Sequence, residues 1–120
     1  MTRHRVWTLG ADVDTDALAP GHAMNHGMDV IARHCLESLR PDFATGVRAG
    51  DVLVAGPNFG IGSSREQAAA VLVALGVRAV IAPAFGGLYF RNAFNVGLLL
   101  LSCPQAGRLL EGDAIALAVN

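Results

Sequence analysis

Short apolar segments alternate with segments of helical periodicity through the second half of the chain. In order along the sequence these are residues 51–56, 64–75, 79–84, 89–96 and 98–101, of which the first, third and fifth are almost wholly apolar. Strands that are apolar on both faces and joined through helices are expected to be parallel, because the crossover helices cover both sides of the sheet. The pattern therefore predicts an α/β domain with a mainly parallel central sheet.

The segment 64–75 carries the clearest helical signal. Its apolar residues recur at spacings of three and four: Ala68, Val71, Leu72 and Leu75. Gly76 follows at the position where a left-handed C-terminal cap is common. We expect a helix that ends at residue 75.

Weaker patterns predict the other elements. Residues 6–9 are expected to form an edge strand, and residues 114–119 a last strand after a turn. Residues 28–39 are expected to form a helix. Its inward residues are then Val30, Ile31, Cys35 and Leu39. No linker or repeat interrupts the sequence, so residues 1–120 are expected to form a single domain.

The composition excludes several classes of protein. All nine Lys and Arg residues are arginine, so enzymes that need a Schiff-base, pyridoxal-phosphate or P-loop lysine are excluded. The net charge is -1, so the chain lacks the basic surface expected of a nucleic-acid-binding protein. It also lacks a signal-peptide core and any run of about 20 apolar residues that could span a membrane. A cytoplasmic location is the simplest expectation.

The cysteines and histidines predict no metal site on this chain. Cys35 and Cys103 are far apart in sequence, so they form neither a CxxC pair nor a zinc knuckle, and two thiolates cannot hold a cluster. Both are expected to be buried, reduced thiols. His22 and His26 are four residues apart, but the glycines at positions 21 and 27 indicate a loop rather than a ligand-bearing helix.

Residues 59–66, which we call the serine turn, join the strand at 51–56 to the helix at 64–75. Their sequence is Phe-Gly-Ile-Gly-Ser-Ser-Arg-Glu, at the carboxyl end of the sheet where α/β folds bind ligands. The glycines allow close approach of an anion, the helix N-terminus attracts negative charge, and Arg65 can bind a carboxylate with two hydrogen bonds. A structural alternative is a capping box between Ser63 and Glu66, which stabilises a helix by about 1 kcal/mol. Both interpretations stay open at this point.

Two other enzyme classes fit the serine turn poorly. A dinucleotide-binding loop needs a third glycine where Arg65 stands, and no acidic residue between Gln67 and Leu110 is available to hold a ribose. A serine hydrolase elbow needs a glycine two residues after the nucleophile and a later histidine, and neither Ser63 nor Ser64 has them.

Residues 59–68 closely resemble the G-x-G-S-S-R-E-H-A signature of the aconitase superfamily swivelling domain, especially in small subunits of the isopropylmalate dehydratase and homoaconitase type. Further stretches agree in the same order: residues 6–10, 14–16 with Pro20, 39–44, 50–51 and 91–93. The resemblance covers most of the chain. It implies a swivelling β/β/α domain whose C-terminus is shorter than in typical relatives.

The resemblance also implies roles for individual residues. Members of this family move water between adjacent carbons of a hydroxy di- or tricarboxylic acid, with a 4Fe-4S cluster on the large subunit as the Lewis acid. Ser63 would be the catalytic base that carries the carbon-bound proton. Ser64 and Arg65 would bind a substrate carboxylate, and Thr15 and Asp16 would lie near the substrate.

Some positions depart from the family pattern. Gln67 stands where the family usually has histidine, and Ile61 where isopropylmalate enzymes often have cysteine. The expected specificity loop, with His22, Ala23 and Met24, lacks the arginine or Tyr-Leu pattern of many relatives. The substrate is therefore open among 3-isopropylmalate, homoaconitate and alkylmalate types.

The resemblance thus predicts the small subunit of a heteromeric hydro-lyase in amino-acid biosynthesis, leucine biosynthesis among others. Its partner would be an aconitase-like large subunit, without which it would be inactive, and this chain would bind no cofactor itself. An isolated chain could pair with a second copy. One alternative is a non-catalytic anion-binding or regulatory module with the same fold, and a weaker one is a stand-alone phosphate- or carboxylate-binding enzyme.

Overall fold

A computed structural model of the chain describes residues 2–117 and contains five strands and five helices within them. The strands are β1 (His4–Thr8), β2 (Val52–Val54), β3 (Ala79–Ala82), β4 (Leu99–Ser102) and β5 (Ala114–Ile115). The helices are α1 (Thr15–Leu18), α2 (Met28–His34), α3 (Phe43–Gly46), α4 (Gln67–Ala74) and α5 (Gly87–Val96). Two 3₁₀ turns, Gly21–Ala23 and Ala106–Arg108, complete the secondary structure. The α/β expectation and the predicted order β2, α4, β3, α5, β4 are confirmed.

The five strands form one sheet in the order β4-β3-β2-β1-β5. Neighbours from β1 to β4 are parallel, and only β5 runs antiparallel, beside β1. The expectation that residues 6–9 form an edge strand is wrong, because β5 covers the far side of β1 through the pairs His4↔Ile115 and Arg5↔Ala114. The strand predicted over 114–119 ends at residue 115, and residues 118 and 119 lie outside the described part of the chain.

Alternate strand residues face two different apolar clusters. One face of the sheet, with Trp7, Leu53 and Val80, packs against buried residues from all five helices. The other face, with Val6, Val52 and Ile81, is covered by the segment that carries Ala106, Leu109 and Leu117. The expectation that helices cover both sides is therefore wrong. Consecutive strands are added in one direction, and right-handed crossovers then place every helix on the same side.

The predicted helix over residues 28–39 is shorter than expected. Helix α2 ends at His34, because the chain turns at Leu36 with a left-handed φ of 61°. Leu36 is fully buried, whereas Leu39, expected to face inward, is 51% exposed. Within residues 2–117, no helix combines the length and apolar character that a membrane span requires.

Helix α4 ends as its sequence predicts. Its last residue is Ala74, and Gly76 adopts the left-handed φ of 84° expected of a C-terminal cap. The amide of Gly50 donates to the carbonyl of Gly76 at 2.8 Å. This contact fixes the end of the helix beside the start of β2.

Candidate functional site

The serine turn leaves β2 and is held by backbone hydrogen bonds on both sides. Gly60 N donates to the carbonyl of Val13 at 2.7 Å, and Thr15 N donates to the carbonyl of Ile61 at 2.8 Å. On the opposite side, the segment 84–86 bonds to the beginning of the same turn. The path of the turn is therefore fixed by its neighbours.

Glycine is required inside this turn by packing. Gly60 has a φ of 83°, and a Cβ at this position would overlap the ring of Tyr89. Tyr89 is buried, and its hydroxyl donates to the carbonyl of Ala68 at 2.9 Å. Gly62 has a φ of 106°, and a Cβ there would lie 3.1 Å from Thr15 Oγ1. The two glycines thus bring the turn down onto α5 and α1.

Ser63 and Ser64 are both exposed after these glycines. The hydroxyl oxygen of Ser63 lies 3.4 Å from that of Thr15, which is buried. Hydroxyl–hydroxyl hydrogen bonds are usually 2.5 to 3.0 Å long, so this contact is long. The Ser63 hydroxyl is therefore close to Thr15 without being tightly bound by it.

The alternative of a capping box between Ser63 and Glu66 is not formed. Helix α4 begins at Gln67, its N-cap position is Glu66, and no side chain caps it. Ser63 lies in the preceding turn, where its carbonyl accepts from Arg65 N at 2.9 Å. The helix also starts later than residue 64. Capping therefore does not explain why two serines occupy this turn.

Arg65 is oriented by Asp16 of α1 and by Ala19, the residue that follows α1. Its Nη1 donates to Asp16 Oδ1 at 2.9 Å and to the carbonyl of Ala19 at 2.9 Å. The same Asp16 oxygen accepts from Gly21 N at 3.0 Å. The Arg65 hydrogen bond, followed by that of Gly21, holds the pKa of Asp16 below its usual value. Asp16 is thus an ionised partner that fixes the guanidinium.

The remaining edge of this guanidinium makes no hydrogen bond to residues 2–117, and the Arg65 side chain is 30% exposed. Nε and Nη2 of Arg65 form the planar pair of donors that matches a carboxylate, and neither bonds to a described residue. A carboxylate can therefore be bound there with two parallel hydrogen bonds.

The structure brings most of the predicted site residues together. Ser63 lies beside Thr15, and Arg65 beside Asp16. The carbonyl of Ser64 accepts from Asn92 Nδ2 at 3.3 Å. The site joins the serine turn, the first turn of α1 and the exposed side of α5.

The predicted specificity loop presents its residues unequally. His22 is exposed in the 3₁₀ turn Gly21–Ala23, Met24 is partly buried, and Ala23 is fully buried. Of these three loop residues, His22 and part of Met24 can therefore contact a molecule outside the chain.

Several contributing residues were given no individual role from the sequence. Asp14 is the N-cap of α1, and its carboxylate accepts from Ala17 N at 2.8 Å. Aspartate is a preferred N-cap residue, and acidic residues are enriched in the first turn, where Asp16 stands. Tyr89 gave no local signal, because its contact to Gly60 depends on the tertiary fold. Asn92 lies in the stretch 91–93 that resembles the family, but its bond to the Ser64 carbonyl appears only in the folded chain.

The two cysteines do not fit an iron–sulfur cluster. Cys35 is fully buried, and burial raises the pKa of its thiol to about 12. Cys103 is partly exposed, contrary to expectation, and packs against the cluster on the opposite face of the sheet. Clusters are normally held by several cysteine thiolates that lie close together. The described chain offers no such set.

A cleft of about 640 Å³ lies near the carboxyl ends of β1 and β2, with residues of the segment 104–111 along its other wall. Its lining includes Thr8, Val54 and Leu109 and does not include the serine turn. The cleft is on the sheet face that carries no helices, so it is separate from the Ser63 site.

The sheet order and the serine turn beside α1 define an aconitase-type swivelling domain, and comparison with known proteins agrees. Residues 41–106 match the aconitase C-terminal domain family. The chain belongs to this family, as the resemblance of residues 59–68 predicts, and within it groups with small subunits of 3-isopropylmalate dehydratase.

Individual relatives are similar over nearly the whole chain. The 3-isopropylmalate dehydratase small subunit of Heliobacterium modesticaldum is 46% identical over 113 residues, covering 92% of this chain and 68% of the relative. That of Halothermothrix orenii is 45% identical, covering 97% and 72%. The crystal structure of 3-isopropylmalate dehydratase (leuD) from Methanocaldococcus jannaschii superposes with a TM-score of 0.88 at 41% identity, over 93% of this chain and 67% of that one.

Proposed function

We propose that this chain is the small subunit of a heteromeric hydro-lyase of the 3-isopropylmalate dehydratase type. The names of its relatives support the reaction class, and leucine biosynthesis follows from those names. The observation that carries the proposal is the exposed Ser63 hydroxyl on a fixed turn, next to an arginine with a carboxylate-binding edge still open. A cytoplasmic location is part of this proposal.

Ser63 acts as the base in the proposed reaction. Its oxygen takes the proton from the carbon beside the hydroxyl-bearing carbon in dehydration and returns it in hydration. A serine is a weak base in water, so its alkoxide needs donors and positive charge nearby. The hydroxyl of Thr15, 3.4 Å away, can donate to the alkoxide, and Arg65 two residues later supplies positive charge.

Arg65 and Ser64 bind the substrate in this proposal. The Nε and Nη2 groups of Arg65 donate two hydrogen bonds to a substrate carboxylate, while Asp16 holds the other side of the guanidinium in place. The Ser64 hydroxyl adds a further donor. A di- or tricarboxylic acid fits this site because one carboxylate is bound away from the reacting carbons.

The large subunit completes the active site. The cysteines of this chain do not fit a cluster, so the 4Fe-4S cluster expected of the family is assigned to the partner. The isolated chain is then inactive, because its Ser63 lies on an open surface with no group to act on the leaving hydroxyl.

Co-expression with a 3-isopropylmalate dehydratase large subunit tests the proposal. We expect a stable complex that dehydrates 3-isopropylmalate under anaerobic conditions, whereas neither subunit alone is active. Assays with homocitrate and an alkylmalate identify the preferred substrate, and size-exclusion chromatography of the isolated chain shows whether it self-associates. A chain that binds no large subunit but retains carboxylates would instead be an anion-binding module, and the proposal would be wrong.

A further inference from the structure

Three side chains with metal-binding atoms meet near the end of α2. His22 lies in the 3₁₀ turn, His34 is the last residue of α2, and Glu37 follows in the next turn. His22 Nε2 is 2.7 Å from Glu37 Oε2, and His34 Nδ1 is 2.8 Å from Glu37 Oε1. The two imidazole rings pack edge to face with centroids 4.8 Å apart. Two ring nitrogens and a carboxylate therefore lie close together.

We propose that His22, His34 and Glu37 bind a divalent transition-metal ion of the zinc class. Imidazole and carboxylate are preferred ligands of Zn²⁺, Ni²⁺ and Cu²⁺, whereas Mg²⁺ and Ca²⁺ prefer sites made of oxygen alone. Two neutral imidazoles and one carboxylate give three protein ligands, and water supplies the fourth position. No hydrogen bond joins these three residues to Ser63, and the metal proposal does not depend on the hydro-lyase reaction.

The spacing of the donor atoms suits such an ion. Zinc lies about 2.0 to 2.2 Å from nitrogen and oxygen ligands, which places neighbouring ligands of a tetrahedral site roughly 3.4 Å apart. The three donor atoms all lie within 4.8 Å of one another. The side chains of His22, His34 and Glu37 are 60%, 38% and 40% exposed, so they can rotate to the required distances without moving packed neighbours.

The neighbouring His26 does not belong to the cluster. It lies four residues after His22, and that spacing alone suggested a pair in the sequence. The structure instead brings His22 to residues 12 and 15 positions further along the chain. An ion at this point would link the 3₁₀ turn to the segment after α2, and so would oppose unfolding of both.

Zinc titration of the untagged full chain tests the site. Isothermal titration calorimetry with ZnCl₂ alone, in a buffer that does not bind metal, is expected to give one ion per chain with a micromolar dissociation constant. His22→Ala, His34→Ala and Glu37→Gln should each weaken binding at least tenfold. His26→Ala and Cys103→Ser are matched controls that should leave the affinity unchanged. Circular dichroism without metal shows that each variant is folded.

Cobalt provides a second readout. Co²⁺ bound by the three residues should show visible bands of a four-coordinate nitrogen and oxygen site, without the near-ultraviolet charge-transfer band of a thiolate. The thermal unfolding midpoint should rise with zinc in the parent chain and not in His34→Ala. The proposal is overturned by dissociation constants above a millimolar, by unchanged affinity in the three ligand variants, or by loss of binding in either control.

Discussion

Asp16 holds Arg65 on one side only: its Oδ1 lies 2.9 Å from Arg65 Nη1, and the opposite Nε and Nη2 edge is left without an acceptor among residues 2–117. The same carboxylate oxygen accepts from Gly21 N. One acidic side chain therefore links the serine turn, the start of α1 and the 3₁₀ turn that carries His22. Substitutions that disturb these hydrogen bonds should therefore alter the orientation of the Arg65 guanidinium.

Replacement of Ser63 by alanine tests the proposed base. In the complex with a large subunit, Ser63→Ala should lower kcat by roughly 100-fold or more, as expected when a positioned general base is lost. Ser38→Ala, at another exposed serine outside the site, is the matched control and should retain full turnover. Near-normal turnover of Ser63→Ala, with the complex intact by size-exclusion chromatography, would refute the role.

Arg65→Lys keeps the positive charge but removes the planar pair of donors. We expect KM for the hydroxy acid to rise by about 10-fold to 100-fold, since hydrogen bonds to charged groups contribute about 1.5 to 3 kcal/mol. Arg78→Lys, at an exposed position between α4 and β3, is the control. Steady-state kinetics that show an unchanged KM for Arg65→Lys would mean that the open edge does not bind substrate.

Gly60→Ala should destabilise the fold itself. The new methyl group overlaps the Tyr89 ring, and alanine is strained at a φ of 83°. Overpacking and left-handed strain together should lower the free energy of unfolding by about 2 to 4 kcal/mol. Gly107→Ala, where no atom lies within 4 Å of the added Cβ, should change it little. Urea unfolding of the two variants checks this difference, and equal stabilities would contradict the packing argument.

The ionised carboxylate of Asp51 should stabilise the folded chain, and this contribution should be lost at acid pH. Burial alone would raise the pKa of this carboxyl, but hydrogen bonds from Trp7, Arg48 N and Arg5 outweigh it and lower the pKa. Trp7 Nε1 and Arg48 N donate to Oδ2 at 2.8 and 2.9 Å. A carboxyl with a lowered folded-state pKa stabilises the protein above its unfolded value, and this stability is lost as the pH falls from about 5 through the folded value.

The Asp51→Asn variant isolates this contribution. We expect it to lower the free energy of unfolding at pH 7 by about 2 to 3 kcal/mol, because a buried charged acceptor of several hydrogen bonds is lost. The loss of stability between pH 6 and pH 3 should be smaller than in the parent chain. Urea unfolding across this range measures both effects. Glu66→Gln is the control, because Glu66 is exposed and its side chain does not cap α4. A parallel pH dependence in parent and Asp51→Asn would contradict the assignment.

Local sequence patterns predicted the parallel part of the sheet because periodicity reports burial directly. The segments around β2, α4, β3, α5 and β4 are long and regular enough for this, and Gly76 marks its helix end through a conformation that only glycine adopts easily. The serine turn was recognisable because its residue types are unusual at the carboxyl end of a strand.

Long-range contacts account for what the sequence left open. The inner position of β1 depends on a two-residue strand more than 100 positions later, and the end of α2 depends on a left-handed leucine that no propensity predicts. Ser63 and Thr15 are 48 residues apart, so their contact appears only in the folded chain. The capping box failed for the same reason, since tertiary hydrogen bonds to residues 13–15 hold the turn away from a helical path.

The backbone bonds on both flanks of the serine turn have a mechanical consequence. Residues 59–61 are hydrogen-bonded to the start of α1 on one side and to the approach of α5 on the other, and Ser63 follows them by two residues. If Ser63 is the base proposed above, these bonds predict that the turn moves toward a substrate together with the sheet rather than by itself. The position of the Ser63 hydroxyl then depends on the placement of the whole domain, and its orientation depends on hydrogen bonds already present in this chain.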